Sequence, residues 1–272
     1  MTEAVFFEAQ GASAAFDRMA GSYDAIFTQS VIGRAQRQVI WDALKRTFRA
    51  RDRVLELNCG TGEDALFLAR REISVLACDA SPGMIAIAER RKALEAPGAS
   101  LQFRVLPNED LSLLPSSPFD GALSNFSGLN CVADPRQTAL QLARLVKPGG
   151  PVLICISTRV CLWEIGWYVA QMKFSKAFRR VRGRTIAHLD QVSVPVWYPT
   201  IRRMRNLFSP WFELRSVRAV GLFVPPSYVE LWARKYRRVL AMLEKMDRVF
   251  SGWLLVRAFG DHVLLEFERT QQ

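Results

Sequence analysis

The sequence is short of histidine and of any cysteine arrangement that metal or redox chemistry could use. Of 272 residues only His188 and His262 are histidine, and the five cysteines (Cys59, Cys78, Cys131, Cys155, Cys161) are scattered, mostly within apolar runs. That spacing matches no zinc motif, and an odd set of dispersed thiols argues against a disulfide framework. No metal is therefore expected. No apolar run approaches the roughly 18 residues that cross a bilayer. The first residues lack a basic stretch ahead of an apolar core, so no secretion signal is expected. No segment repeats and none is of low complexity. These absences predict a cytoplasmic protein with reduced, buried thiols.

The second half of the chain also lacks acid. Residues 1–150 carry 17 basic and 17 acidic side chains, whereas residues 151–272 carry 20 basic and 9 acidic, which supplies the whole net charge of +11. A basic half of this kind suits a membrane surface, a nucleic acid or an acidic ligand, or simply forms a solvated helical surface. Half of all residues are apolar, a globular composition long enough to bury a full core.

Short apolar runs alternate with helical patterns through the first 160 residues. Strands are expected over 53–57, 74–78, 101–106, 119–124 and 152–156, with helices between them. Ser81-Pro82 and Asp134-Pro135 read as an N-cap followed by proline in the first turn. Ahead of the first strand, residues 14–27 and 33–48 space their apolar side chains as helices. Such alternation predicts a doubly wound, mostly parallel sheet. After Ser157 the rhythm changes. Residues 160–182 suggest one long helix or two shorter ones with a basic end, 192–198 an added strand kept to an edge by Pro195, and 201–208 a short helix. A strand over 212–223, a basic helical stretch over 228–250 and a last strand over 261–268 complete the chain.

The densest chemical signal is the run VLELNCGTG (residues 54–62), with Asp79 ending the next strand. A glycine turn between a strand and a helix, followed by an acid on the second strand, forms a nucleotide-sized site at a topological switch point. The residues Gly60-Thr-Gly62-Glu-Asp-Ala65 also fit a dinucleotide fingerprint. Glu56, Glu63 and Asp64 oppose that assignment, because a pyrophosphate seeks an uncontested positive helix terminus. A cofactor with a sulfonium and an ammonium but no phosphate suits the same acids. Charge therefore favours S-adenosylmethionine over a nicotinamide dinucleotide.

The run VLELNCGTG, then VLACDASPGMIAIA (75–88), PFDGALSNFSGLN (118–130) and LVKPGG (145–150) resembles the class I S-adenosylmethionine-dependent methyltransferases, over roughly residues 14–158. FDRMAGSYDAIF (16–27) is similar to the helix ahead of the core in members that act on small molecules. The resemblance implies a seven-stranded sheet whose last strand alone is antiparallel. It further implies that Glu56, Asn58, Gly60 and Gly62 wrap the methionine moiety, Asp79 and Ala80 hold the ribose, Asn108 or Glu109 meets the adenine, Asn125 to Gly128 line the transfer site, and Tyr23 closes over the cofactor. Asn58 stands where the family usually has a glycine, and Pro107 where an aspartate is common. Asparagine tolerates the left-handed conformation such a turn requires.

The acceptor is less defined. The place after the fourth strand reads Ser124-Asn-Phe-Ser127, without the paired prolines of nucleic-acid amino methyltransferases, so a nucleic-acid acceptor is disfavoured and rests on charge alone. Cys131 is expected in the core. If the last strand is antiparallel, Gly221–Phe223 and Asp261-His262 border the site and residues 224–257 cap it. Ser127, Trp163, Tyr198 and Phe223 are then candidate acceptor contacts, an aromatic-walled space suited to a flat or greasy molecule. Methyl transfer needs a base only if the acceptor must lose a proton. His262 and His188 (beside Asp190) are the candidates, with Tyr198 and Glu164 behind them.

The sequence thus predicts N-terminal helices over 1–50 that cover the cofactor, a cofactor-binding core over 51–158, and substrate-side insertions with the last strands and a helical cap over 159–272. The expected activity is methyl transfer from S-adenosylmethionine to a small aromatic or lipophilic acceptor. The alternatives are an RNA methyltransferase using the basic half and a non-catalytic cofactor-binding or membrane-associated module. Peripheral membrane contact through that half stays open, as does the oligomeric state.

Overall fold

Residues 54 and 55 already show why the sheet is covered on both sides. Val54 belongs to one buried cluster and Leu55 to another, because successive side chains of a strand point to opposite faces. The computed structural model describes residues 3–116, 118–189 and 192–271. The parallel strands are β1 (Arg53–Leu57), β2 (Ser74–Asp79), β3 (Leu101–Val105), β4 (Gly121–Ser124) and β5 (Pro151–Ser157). Helices α1 (Glu3–Tyr23) and α2 (Val31–Thr47) precede them. Between them run α3 (Glu63–Ala69), α4 (Pro82–Glu95) and α5 (Pro135–Leu145). Both expected proline starts are present. The Ser81 hydroxyl accepts from Met84 N, and the Asp134 carboxylate accepts from Arg136 N.

Beyond β5 come α6 (Leu162–Ala170), α7 (Phe174–Ala177), β6 (Arg184–Leu189), β7 (Val192–Trp197) and α8 (Ile201–Phe208). Then follow β8 (Phe212–Val220), α9 (Glu230–Lys235), α10 (Arg237–Phe250) and β9 (His262–Arg269). The seven-stranded sheet runs β3-β2-β1-β4-β5-β9-β8. β9 is antiparallel to both its neighbours, so it alone opposes the other six. One face is packed by α5 and α8 through Leu142, Met204 and Phe208, the other by α2 and α3 through Ile40, Leu44 and Leu66.

Two features differ from expectation. Residues 192–197 do not extend the main sheet. They pair with Arg184–Leu189 as a separate antiparallel hairpin, whose first strand the basic composition of the preceding segment obscured. Its inner face packs Val194 against Ala12 and Ala15 of α1. The second difference lies in the insertion between β8 and β9. The helical stretch is broken at Tyr236, and α9 and α10 settle on α2 through Ile32, Ala35, Val229, Ala233 and Leu240. The Glu230 carboxylate accepts from the backbone N–H groups of Val31 and Ile32, satisfying donors that a helix start leaves open. The insertion therefore braces α2 instead of roofing the sheet edge.

Asp247 of α10 anchors this brace. Its buried carboxylate accepts from Phe223 N (2.7 Å) and Val224 N (3.3 Å), just beyond β8. Burial pushes its pKa from 3.8 up to about 6, against the pull of those backbone donors. The unfolded chain loses this proton near pH 3.8 and the folded one near pH 6, so stability falls as pH rises through that window. Asp247→Asn should flatten that dependence in urea unfolding series. Asp247→Ala should cost about 1–3 kcal/mol by orphaning two buried donors.

Candidate active site

The chain leaves β1 through three left-handed residues, Asn58 (φ 55°), Gly60 (φ 54°) and Gly62 (φ 79°). Asn58 makes the turn and ties it down. Its Oδ1 accepts from Ser124 Oγ (3.1 Å) at the end of β4 and from Asn108 Nδ2 (3.3 Å) after β3. The two glycines differ. A Cβ on Gly62 would lie 2.6 Å from the Phe103 ring, whereas one on Gly60 would meet nothing nearer than Tyr23 at 4.0 Å. Gly62 is thus required by packing, and Gly60 by its backbone angle beside open space. Asp79, at the end of β2, accepts from Gly60 N and Ser81 N, each at 2.9 Å. Burial raises its pKa, opposed by these hydrogen bonds.

Above the turn lies a cavity of about 230 Å³. Its roof is α1 and the β6–β7 hairpin. Ala12, Ser13, Phe16 and Tyr23 contribute from the helix, Leu189, Val194 and Val196 from the hairpin. Polar contacts pin the helix down. Ser13 Oγ donates to Ala80 O (2.8 Å), and Asp17 accepts from Ser81 Oγ and Gly83 N. At the far end of α1, Asp24 accepts from Thr61 Oγ1 of the glycine turn (2.6 Å) and pairs with Arg91, which also holds Glu63. Burial pushes the Tyr23 phenol up to about 12, against the effect of Arg37, so it stays a hydrogen-bond donor.

The transfer segment after β4 is strained. Phe126 (φ 41°) and Ser127 (φ 70°) are successive left-handed residues, neither of them glycine. Such conformations cost of order 1–3 kcal/mol each and concentrate at functional sites. Asn125 holds the first through its Oδ1, which accepts from Phe126 N (2.8 Å). The Ser127 and Ser157 hydroxyls hydrogen-bond at 2.7 Å. Below them Arg37 pairs with Asp64 at 2.5 Å and lies 4.8 Å from the Phe126 ring centre.

Of the residues singled out from sequence, Tyr23, Asn58, Gly60, Asp79, Ala80, Asn108, Glu109, Asn125 and Ser127 line the one cavity. Gly62 supports it from behind. Glu56 lies beneath it, buried, with its pKa raised by burial and by neighbouring Asp64, and with Oε2 lacking a hydrogen-bond partner among the described residues. The proposed aromatic wall is elsewhere. Trp163 donates its Nε1–H to Phe223 O, Phe223 packs on Phe250, and the Tyr198 hydroxyl accepts from Thr185 Oγ1 at 3.4 Å. Neither histidine lines the cavity. His262 is buried behind Phe126, their rings edge-on at 5.4 Å, and its pKa is lowered by burial against the pull of Asp261. His188 is on the exposed face of the hairpin, bonded to Ser193. Asp190 lies outside the described residues. Of the lesser base candidates, Glu164 is consumed by Arg179 and Arg180. Cys131 lines the cavity, but burial pushes its thiol up to about 11.

Sequence reasoning missed Arg37, the one Lys or Arg among the described lining residues, and the apolar residues of the hairpin. Alternation over 192–197 was the available signal for the hairpin. Arg37 had none, since it sits on a helix far from the motifs.

The lining set is rich in carboxylates: Glu63, Asp64, Asp79 and Glu109 against Arg37. With open space over Gly60 and an unpartnered buried Glu56 oxygen, it fits a ligand carrying positive charge and no phosphate. Residues 54–150 match a family model described as a methyltransferase domain. That segment is a methyltransferase domain, and the chain is similar to S-adenosylmethionine-dependent methyltransferases. It is 33% identical over 143 residues to a demethylmenaquinone methyltransferase of Clavibacter sepedonicus, covering 53% of this chain and 56% of that protein. It is 36% identical over 107 residues to a ubiquinone biosynthesis O-methyltransferase of Xylella fastidiosa, covering 39% and 42%. These matches span about half the length of the curated relatives. Among solved structures, an S-adenosylmethionine-dependent methyltransferase of Methanosarcina mazei superposes with a TM-score of 0.58 at 17% identity, covering 85% of this chain and 98% of that one. That likeness supports the fold.

The two glycines of the turn should separate in experiment. Gly60→Ala should lower stability by only about 1–2 kcal/mol, the left-handed penalty, yet weaken S-adenosylmethionine binding in titration calorimetry. Gly62→Ala adds a clash with the Phe103 ring and should lower the unfolding midpoint further. Equal stability losses would show that the Phe103 contact does not constrain the turn.

Proposed function

We propose that this protein transfers a methyl group from S-adenosylmethionine to a small apolar acceptor of aromatic size. The observation that carries this reading is the pairing of two chemistries in the lining of one cavity. The lining combines Gly60, Asp79, Asn108 and Glu109 with Ala12, Phe16, Val132, Leu189, Val194 and Val196, and of the apolar set Ala12, Leu189 and Val194 pack together. The first set suits the cofactor and the second a flat or greasy molecule. The names of the two relatives, one a demethylmenaquinone enzyme and one of ubiquinone biosynthesis, support an acceptor of quinol-like shape.

When bound, the cofactor supplies an electrophilic methyl group on a sulfonium, open to direct displacement. The chain's own task is to hold both partners and exclude water. Asp79, pre-oriented by two backbone donors, would accept from the ribose hydroxyls. The cavity acids would face the cationic end of the methionine moiety, and Arg37 its carboxylate. The left-handed pair Phe126–Ser127 fixes the floor against which the acceptor lies. Neither imidazole lines the cavity, so the proton that the acceptor oxygen or ring carbon loses on methylation passes to solvent or to a lining carboxylate such as Glu109.

Two variants test this reading. Val196→Phe narrows the cavity beside its apolar lining and should raise KM for a naphthol or hydroquinone acceptor at unchanged S-adenosylmethionine affinity. His262→Gln should keep turnover within about tenfold, short of the 10²–10⁴ lost with a general base. If the protein binds S-adenosylmethionine but forms no S-adenosylhomocysteine with any apolar acceptor, the transfer reading fails and a non-catalytic cofactor-binding module remains.

A further inference from the structure

We propose that the face formed by α6, α7 and the 252–260 loop docks on an anionic lipid bilayer. This inference does not rest on the methyl-transfer reading. Three observations carry it.

The first is an apolar tip. Trp253, Leu254 and Leu255 follow one another in the loop before β9 and are 56%, 75% and 85% exposed. Their base is fixed in the fold. Trp253 packs edge-on against Phe250 at 4.6 Å, Phe250 against Phe223, and Leu162 N donates to Phe259 O at 3.2 Å. Three consecutive large apolar side chains held outward on an anchored turn are costly in water and natural in hydrocarbon.

The second is the continuation of that tip along α6 and α7. Leu162, Trp167, Met172, Phe174 and Phe178 are all exposed. Trp167 and Tyr168 meet the Tyr228 ring at 6.3 and 5.7 Å, which adds neighbouring Leu231, 85% exposed, to the same side.

The third is charge. From residue 165 to 189 there are six Lys and Arg residues and no Asp or Glu. Arg179 and Arg180 are turned inward onto Glu164, and Arg180 also onto Asp261. Lys173, Lys176 and Arg182 are left exposed. In the stretch Gln171–Lys176, Met172 and Phe174 alternate with Lys173 and Ser175, and all six residues are exposed. Apolar side chains that can enter the acyl boundary, beside long basic ones whose heads reach phosphate, make an interfacial anchor.

The observations choose between occupants. A second copy of this chain would set the same acid-free basic stretch against itself in a two-fold contact. RNA would engage the cations and stack on the exposed rings of Trp167, Phe174, Phe178 or Trp253, but it would leave Leu254, Leu255, Met172 and Leu231 in water. An anionic bilayer answers both halves of the surface. The consequence reaches the cavity, because residues 162–182 lead directly into the hairpin that forms part of its roof.

The test is flotation of the full chain with vesicles of phosphatidylcholine alone and of phosphatidylcholine mixed with phosphatidylglycerol. Wild type should bind the mixed vesicles and lose that binding as salt rises. Lys173→Glu/Lys176→Glu should weaken it at least about tenfold, since each basic residue near an anionic surface contributes about fivefold. Leu254→Ser/Leu255→Ser should weaken it comparably. Both variants lie away from the cavity and should keep the wild-type unfolding midpoint and S-adenosylmethionine affinity. Four results would overturn the proposal: no binding to mixed vesicles at low salt, binding that both variants retain, RNA binding without vesicle binding, or a dimer dispersed by Leu254→Ser/Leu255→Ser.

Discussion

One carboxylate, that of Asp64, holds the site together. It opens α3 directly after the glycine turn. It accepts from Arg37 and from Trp41 Nε1 (2.7 Å) on α2, and from Asn125 Nδ2 (2.7 Å) on the strained segment after β4. Three separate parts of the chain are thereby fixed around the cavity floor. The group is almost fully buried, and a buried charge is tolerated only when its lone pairs are satisfied. Its three donors meet that condition. Arg37 is in turn held over Phe126, so the ion pair fixes the ring that separates the cavity from His262.

This arrangement explains why charge identifies the cofactor better than glycine spacing does. A glycine turn after a first strand serves phosphate-bearing and phosphate-free ligands alike. Here the acids around it are not scattered surface charges. Glu63 is tied to Arg91, Asp64 to Arg37, and Asp79 to two backbone donors. Glu56 lies beneath them, with one oxygen unpartnered among the described residues. A pyrophosphate would have to enter a ring of carboxyl oxygens, acceptors that offer it no partner. A sulfonium and an ammonium would complete it.

The sheet was legible because it is built from local signals. Apolar runs of strand length, two proline-started helices and a turn with left-handed residues specify β1 to β5 without distant information. Asn58 is instructive. The sequence showed that it could adopt the left-handed angle. Its hydrogen bonds to Ser124 and Asn108, which knit three strand ends, required the fold. The roof was hidden for a different reason. A hairpin whose first strand reads RTIAHL, after a run of arginines, gives weak periodicity, and its partner is one helix 170 residues earlier in the chain. The expected cap over the sheet edge was displaced onto α2 by Glu230 and Asp247, whose roles as caps for distant backbone donors no local pattern reveals. His262 fell near the site by topology, as expected of the start of β9, but Phe126 came between.

The central claim is that this cavity selects a sulfonium cofactor by charge. Titration calorimetry of the wild-type protein with S-adenosylmethionine and, separately, with reduced nicotinamide adenine dinucleotide measures it most directly. The account predicts saturable one-to-one binding of S-adenosylmethionine and none of the dinucleotide. Tighter binding of the dinucleotide would contradict it.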